Sequence, residues 1–178
     1  MEREQIMAKA SILTVLMTAA SILWLTPGAA AFDKWENLSK EEAKIIVQLL
    51  DDVYKFWIVF DTRDHVENMG RIPSATVAKE VFAEMKKKGW HSARLITTSK
   101  NFFNPENRPK DDFEMKAVEA LNGGSDFYEK VEVVGGKKVF RAATPVPLVM
   151  KECKMCHVTA KDDQLLGALV YTLPLSQQ

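Results

Sequence analysis

An α+β domain with a small antiparallel sheet is the fold class this sequence predicts, on three observations. Two amphipathic helices come first, each with its own start signal. A Gly135-Gly136 pair then separates two strand-like runs. A further strand and a further helix lie between those two helices and the Gly135-Gly136 hairpin, and a final apolar strand follows it. The resulting order is two helices, a strand, a helix, a hairpin, a short segment and a strand, which is not an all-helical layout.

Ser39-Lys40-Glu41-Glu42 reads as a capping box. A Ser hydroxyl and a Glu carboxylate three residues on can each satisfy an amide at the helix start. Ala43, Ile46, Val47, Leu50, Val53, Tyr54 and Trp57 follow at helical spacing, which predicts a helix to about Phe60. Residues 61–70 are polar and end in Asn-Met-Gly, a turn or a change of direction. Ile72-Pro73-Ser74 opens a second helix with Val77, Val81, Phe82 and Met85 inward. Lys86-Lys87-Lys88-Gly89 closes it, because cations suit a helix C-terminus and Gly suits the left-handed residue beyond.

Residues 90–98 read as a strand, and the Pro-containing run 104–109 as a structured loop in which Asn104 and Asn107 cap backbone groups. Asp111-Asp112-Phe113-Glu114 is a second cap signature, for a helix ending near Leu121. Residues 127–134 and 137–143 flank Gly135-Gly136 as a two-residue hairpin, since both turn positions need positive φ. Pro145-Val146-Pro147 is expected to break the strand, and residues 166–175 form the last one.

The chemistry lies in Cys153-Lys154-Met155-Cys156-His157. C-x-x-C-H is the pattern of c-type haem attachment. Each thiol adds across a vinyl group to form a thioether, and the next residue, a histidine, meets the iron as proximal ligand. Both of the protein's cysteines are spent here. A redox dithiol or half a zinc site are the other readings of C-x-x-C, but neither needs the following histidine.

The first residues point to the compartment this chemistry needs. Residues 1–9 are polar, 10–25 apolar and uncharged, and Pro27-Gly28-Ala29-Ala30-Ala31 supplies small residues for cleavage after Ala31. The apolar run is short for a membrane span of about 20 residues. Glu2 and Glu4 offset Arg3 and Lys9, so an uncleaved membrane anchor is the alternative. Residues 1–31 are therefore read as a signal peptide, residues 32–178 as one domain, and the protein as periplasmic. Formal charge is zero, which argues against nucleic acid held by a broad basic surface. With the sequence ending at Gln178, no kinase, cyclase or chemoreceptor module is expected, and any signal would pass to a partner.

Several features together resemble the bacterial c-type haem sensor domains with a PAS-like fold. They are Ile72-Pro73-Ser74-Ala75, the loop 104–109, Phe113-Glu114, Gly135-Gly136, Phe140-Arg141, Pro145-Val146-Pro147 and C-x-x-C-H, over about residues 38–175. The resemblance implies a PAS-like sheet flanked by helices and one covalent haem c. It also implies a variable ligand opposite His157. Some members of that family use a distal cysteine; this chain has none outside the motif, which excludes thiolate there.

Met69, beside Gly70, is the leading distal candidate, with a vacant or water-filled position as the alternative. Met85 reads as core filler, His65 and His91 as solvated surface residues, and Trp35, Trp57 and Trp90 as core or haem wall. Arg141 is a candidate partner for a haem propionate, because a buried carboxylate needs cationic donors. The expected function is that of an exported monohaem c-type cytochrome in one-electron transfer or in redox or diatomic-gas sensing. Its partners would be a redox or signalling protein in the periplasm and a gas such as CO or NO. A haem enzyme, a peroxidase or a nitrogen-oxide converting cytochrome, is the alternative; it needs His65 or His91 as distal acid–base residue.

Overall fold

A computed structural model describes residues 37–99, 104–162 and 164–177. The expected signal segment, its expected cleavage point and Trp35 lie outside those residues. Helix α1 spans Lys40–Glu67 and opens with the expected capping box. Ser39 Oγ accepts from the Glu42 amide at 3.2 Å, and Glu42 Oε2 accepts from the Ser39 amide at 2.9 Å. The helix runs a further two turns past the expected end at Phe60. Residues 61–67 are polar but contain neither Gly nor Pro, so their polarity marks exposure rather than termination. The stop comes at Asn68-Met69-Gly70, where Met69 takes φ 49° and the Gly70 amide donates to His65 O at 2.8 Å.

Helix α2 (Ser74–Lys87) follows Pro73 and ends on Lys86 and Lys87, as its sequence signals require. Strand β1 is Ser92–Thr97, and a single 3-10 turn occupies Pro105–Asn107. Helix α3 (Asp112–Asn122) is capped by Asp111, whose side chain accepts from the Glu114 amide. Strands β2 (Tyr128–Val134) and β3 (Lys137–Pro147) make the hairpin, with Gly135 at φ 59° and Gly136 at φ 81°. A one-turn helix α4 (Cys153–Cys156) precedes β4 (Leu165–Pro174).

The strands form one four-stranded antiparallel sheet in the order β1-β4-β3-β2. The expected break at Pro145-Val146-Pro147 does not occur: β3 pairs with β4 through Pro147, with a register irregularity at Val146/Pro147. The physical reason is the length of β2, whose pairing ends at Tyr128 opposite Ala143. Pro145 and Pro147 are two apart, so their nitrogens face the same side of the strand, and beyond Ala143 that side has no neighbour needing a donor.

Each face of the sheet has its own core. Val47, Tyr54, Phe82, Phe140, Leu169, Tyr171 and Leu173 pack between the sheet and α1/α2. Ile96, Phe113, Ala117, Leu121, Ala143, Ala168 and Val170 pack between the sheet and α3. Alternation along β4 divides its residues between the two, and truncating Phe113 or Phe140 to Ala should cost about 3–5 kcal/mol.

Helix α1 lies alongside β3. Leu38 O accepts from Ser176 near the start of β3, and Asp51 meets Thr144 and Tyr171 farther along. From Asp51 the helix continues about 24 Å to Glu67. From Thr144 the strand continues only about 10 Å to Pro147. The last turns of α1 therefore pass the end of β3, on the side from which the 148–164 connection departs.

Candidate haem site

That connection is a loop closed at its base. The Leu148 amide donates to Gln164 O at 2.9 Å, and Leu148 is buried. Inside it the amides of Cys153, Lys154 and Met155 each donate three residues back, and the His157 amide donates to Cys153 O at 2.9 Å. This single turn sets the chemistry. At 100° per residue, Cys153, Cys156 and His157 fall on one arc and Lys154 and Met155 on the other. The thiols are free, Cys153 half-buried and Cys156 exposed. His157 is exposed, yet its surroundings remove enough water to lower its pKa below the ordinary value, which favours the neutral, ligating imidazole.

Around the turn lies uncovered apolar surface. Val149, Met155 and Val158 are all exposed, and α4 packs closely against no other described element. A shallow cavity of about 320 Å³, lined by Leu148, Val149, Met150, Lys151, Lys154 and Asp162, sits beside it. On the overshooting part of α1, Asp61 Oδ2 and His65 Nδ1 are buried without a hydrogen-bond partner. Two free thiols, an imidazole and exposed apolar side chains on and around one turn fit a haem. The zinc reading of the cysteine pair lacks partners: among the described residues no group of three or more His, Cys, Asp or Glu can hold a metal ion.

The other candidates fall in different places. Met69 is 89% exposed, on the turn that ends α1. Met85 is half-buried on α2. Neither histidine expected to be solvated is so. His91 is buried, with Nε2 2.9 Å from Tyr54 Oη, and burial lowers its pKa. His65 is half-buried beneath Gly70, where a Cβ would lie 2.7 Å from Nδ1. Trp57 and Trp90 are half-buried. Asn104 caps the Glu106 amide as expected.

Arg141 sits on β3, facing α3. Its Nη1 donates to Asp111 and Glu132, each at 2.8 Å; Glu114 lies 3.7 Å from Nη2, and the guanidinium stacks 4.2 Å over the Phe113 ring. Glu114 is buried and receives Arg94 Nη1 on both oxygens and the Lys110 amide on one. This network was not visible in the sequence, since its members come from α3, the hairpin, β1 and the loop before α3. Burial pulls Asp111 upward, but hydrogen bonds from Arg141 and the Glu114 amide, with the Arg141 and Arg94 charges, hold its pKa below the ordinary carboxylate value. On the other face, burial, Asp51 and its hydrogen bond push the Tyr171 hydroxyl upward.

No curated protein and no solved structure matches the chain. A family model described as Tll0287-like matches residues 33–169, which take in both helical layers, C-x-x-C-H and the sheet up to the middle of β4. The chain belongs to the Tll0287-like family.

Proposed function

We propose that this protein is an exported c-type cytochrome carrying one haem, bound covalently through Cys153 and Cys156 with His157 as proximal ligand. The observation that carries this reading is the single turn that sets both free thiols and the His157 imidazole on one arc, beside the exposed side chains of Val149 and Val158. Membership in a family of c-type cytochrome-like domains supports it. Bound there, a haem supplies one-electron redox chemistry and a place for a diatomic gas. The chain's residues do the rest: the thiols tether, His157 orients, and Val149 and Val158 exclude water.

Sensing of redox state or of a gas such as CO or NO is the reading we favour over plain electron transfer. Met69, our proposed distal ligand, lies on an exposed turn rather than in the core, and a ligand held that loosely is easily displaced. The signal would pass to a redox or signalling partner in the periplasm, after export directed by residues 1–31. The PAS-like character of the domain belongs to the same proposal. Of the two histidines that the enzyme alternative could use, His91 is committed to Tyr54, which leaves that reading to His65. Arg141 remains the proposed propionate partner, in competition with Asp111 and Glu132, which already accept from its Nη1.

Acid–acetone extraction tests the covalent claim: haem that stays on the polypeptide is expected, and haem lost to the solvent overturns it. Visible spectra of the oxidised, reduced and carbon monoxide-treated protein then separate sensing from electron transfer.

A further inference from the structure

Helix α1 carries a second apolar line, on the side turned away from the core. Ile45, Leu49, Val53, Phe56 and Phe60 are each more than half exposed. Their spacing of four, four, three and four holds them within an arc of roughly 80°. Ala43, Val47 and Tyr54 occupy the opposite arc and are buried against the sheet. The line is about 22 Å long, and a contiguous exposed apolar strip on a stable helix marks an interaction face.

We propose that this face joins two copies of the chain, packed antiparallel through α1. Pairing that matches the two ends of the line sets Ile45 against the partner's Phe60 and Leu49 against the partner's Phe56, with Val53 near the two-fold axis. Charge decides the direction. Glu42 and Arg63 are exposed on the same arc, one just beyond each end of the line. The antiparallel arrangement brings Glu42 to the partner's Arg63 at both ends, whereas a parallel one sets like charges together. Glu42 is held in place by the capping box and Arg63 lies 5.6 Å over the Phe60 ring, so both present fixed positions. These rim charges set orientation and contribute little affinity. With five large side chains from each copy, the contact buries on the order of 1,000 Å², the lower end for a specific interface. The dimer is therefore reversible and dissociates on dilution.

Sedimentation velocity of the haem-loaded protein across a dilution series tests this. Leu49→Asp or Phe56→Lys alone should weaken the dimer about 30-fold or more, as loss of a central interface residue does. Both substitutions in the same chain should restore most of that loss, because position 49 of each copy then faces position 56 of the other with opposite charge. An unchanged visible spectrum in all three variants establishes that the fold is intact. A protein monomeric at every concentration overturns the proposal, as does a dimer indifferent to the single substitutions. A double variant as weak as either single one overturns the antiparallel pairing. Monomeric protein that instead floats with phosphatidylcholine vesicles, and stops doing so on Phe56→Lys, assigns the face to a membrane and overturns it as well.

Discussion

Tyr54 and His91 meet in the core, 2.9 Å apart from Oη to Nε2, although they are 37 residues apart in sequence. The contact fastens α1 to the start of β1, and the Tyr54 ring also stacks parallel to Tyr171 and edge-on to Phe82. His91 Nδ1 is already buried without a partner. Tyr54→Phe would leave both ring nitrogens unsatisfied, at a cost of about 1–3 kcal/mol. Urea denaturation should show that loss, while the visible spectrum of the folded variant stays unchanged.

The same histidine gives stability a pH dependence. Burial lowers its pKa in the folded protein, whereas the unfolded chain titrates near the ordinary value of about 6.5. The unfolded state thus takes up the proton first. The contribution of His91 is full above about pH 6.5 and is lost as pH falls through the lower folded value. Denaturation midpoints measured from pH 7.5 downward should decline over that window, and His91→Gln should flatten the slope.

Local signals in the sequence were enough for the element starts. A capping box needs only Ser39 and Glu42, and the hairpin only two glycines. What escaped depends on distant partners. Pro145 and Pro147 continue a strand because β2 ends at Tyr128. His91 is buried because Tyr54 reaches it. Arg141 reads as an available cation until Asp111, Glu132 and Glu114 converge on it from other elements. The overrun of α1 leaves no mark in composition, because a polar helix and a polar loop use the same residues.

Glu114 is the most exacting of these partners. Its side chain is 3% exposed, and both oxygens are occupied by Arg94 while Arg94 Nη2 also donates to Glu106 O and Arg108 O. Arg94→Ala removes the main counter-charge of a buried carboxylate and should destabilise the protein by about 3–5 kcal/mol. Arg94→Lys, which keeps the positive charge and a donor for Glu114, should be markedly milder in the same calorimetric measurement. Equal losses would show that the charge is irrelevant.

Acid should loosen the sheet edge and the α3 face together. Burial raises the carboxyls of Asp111, Glu129 and Glu132. Hydrogen bonds and charges outweigh it: Arg141 on Asp111, Lys40 and Lys44 on Glu129, and Lys130 and Arg141 on Glu132. All three therefore sit below the unfolded values of about 4. Their contribution is full above about pH 4 and disappears as pH falls through the folded values. High salt should shrink the effect for Glu129, whose lysine partners are exposed. Hydrogen exchange of β2 amides between pH 5 and pH 2 reads it directly.

The position opposite His157 decides between sensor and electron carrier. Met69 stands in the left-handed region at φ 49°, on a turn locked by Gly70 against His65. Its long, unbranched side chain is exposed and belongs to neither core. A thioether held from such a turn is a weak ligand, so the reduced protein should bind carbon monoxide or nitric oxide by displacing it. Met69→Ala should turn the iron high-spin and speed gas binding; Met69→His should hold it low-spin and slow binding. Gly70→Ala should act in the direction of Met69→Ala, because its Cβ would meet His65 Nδ1 at 2.7 Å and force the turn to move. A reduced protein that stays low-spin and reacts with neither gas removes the physical basis for sensing and leaves electron transfer as the function.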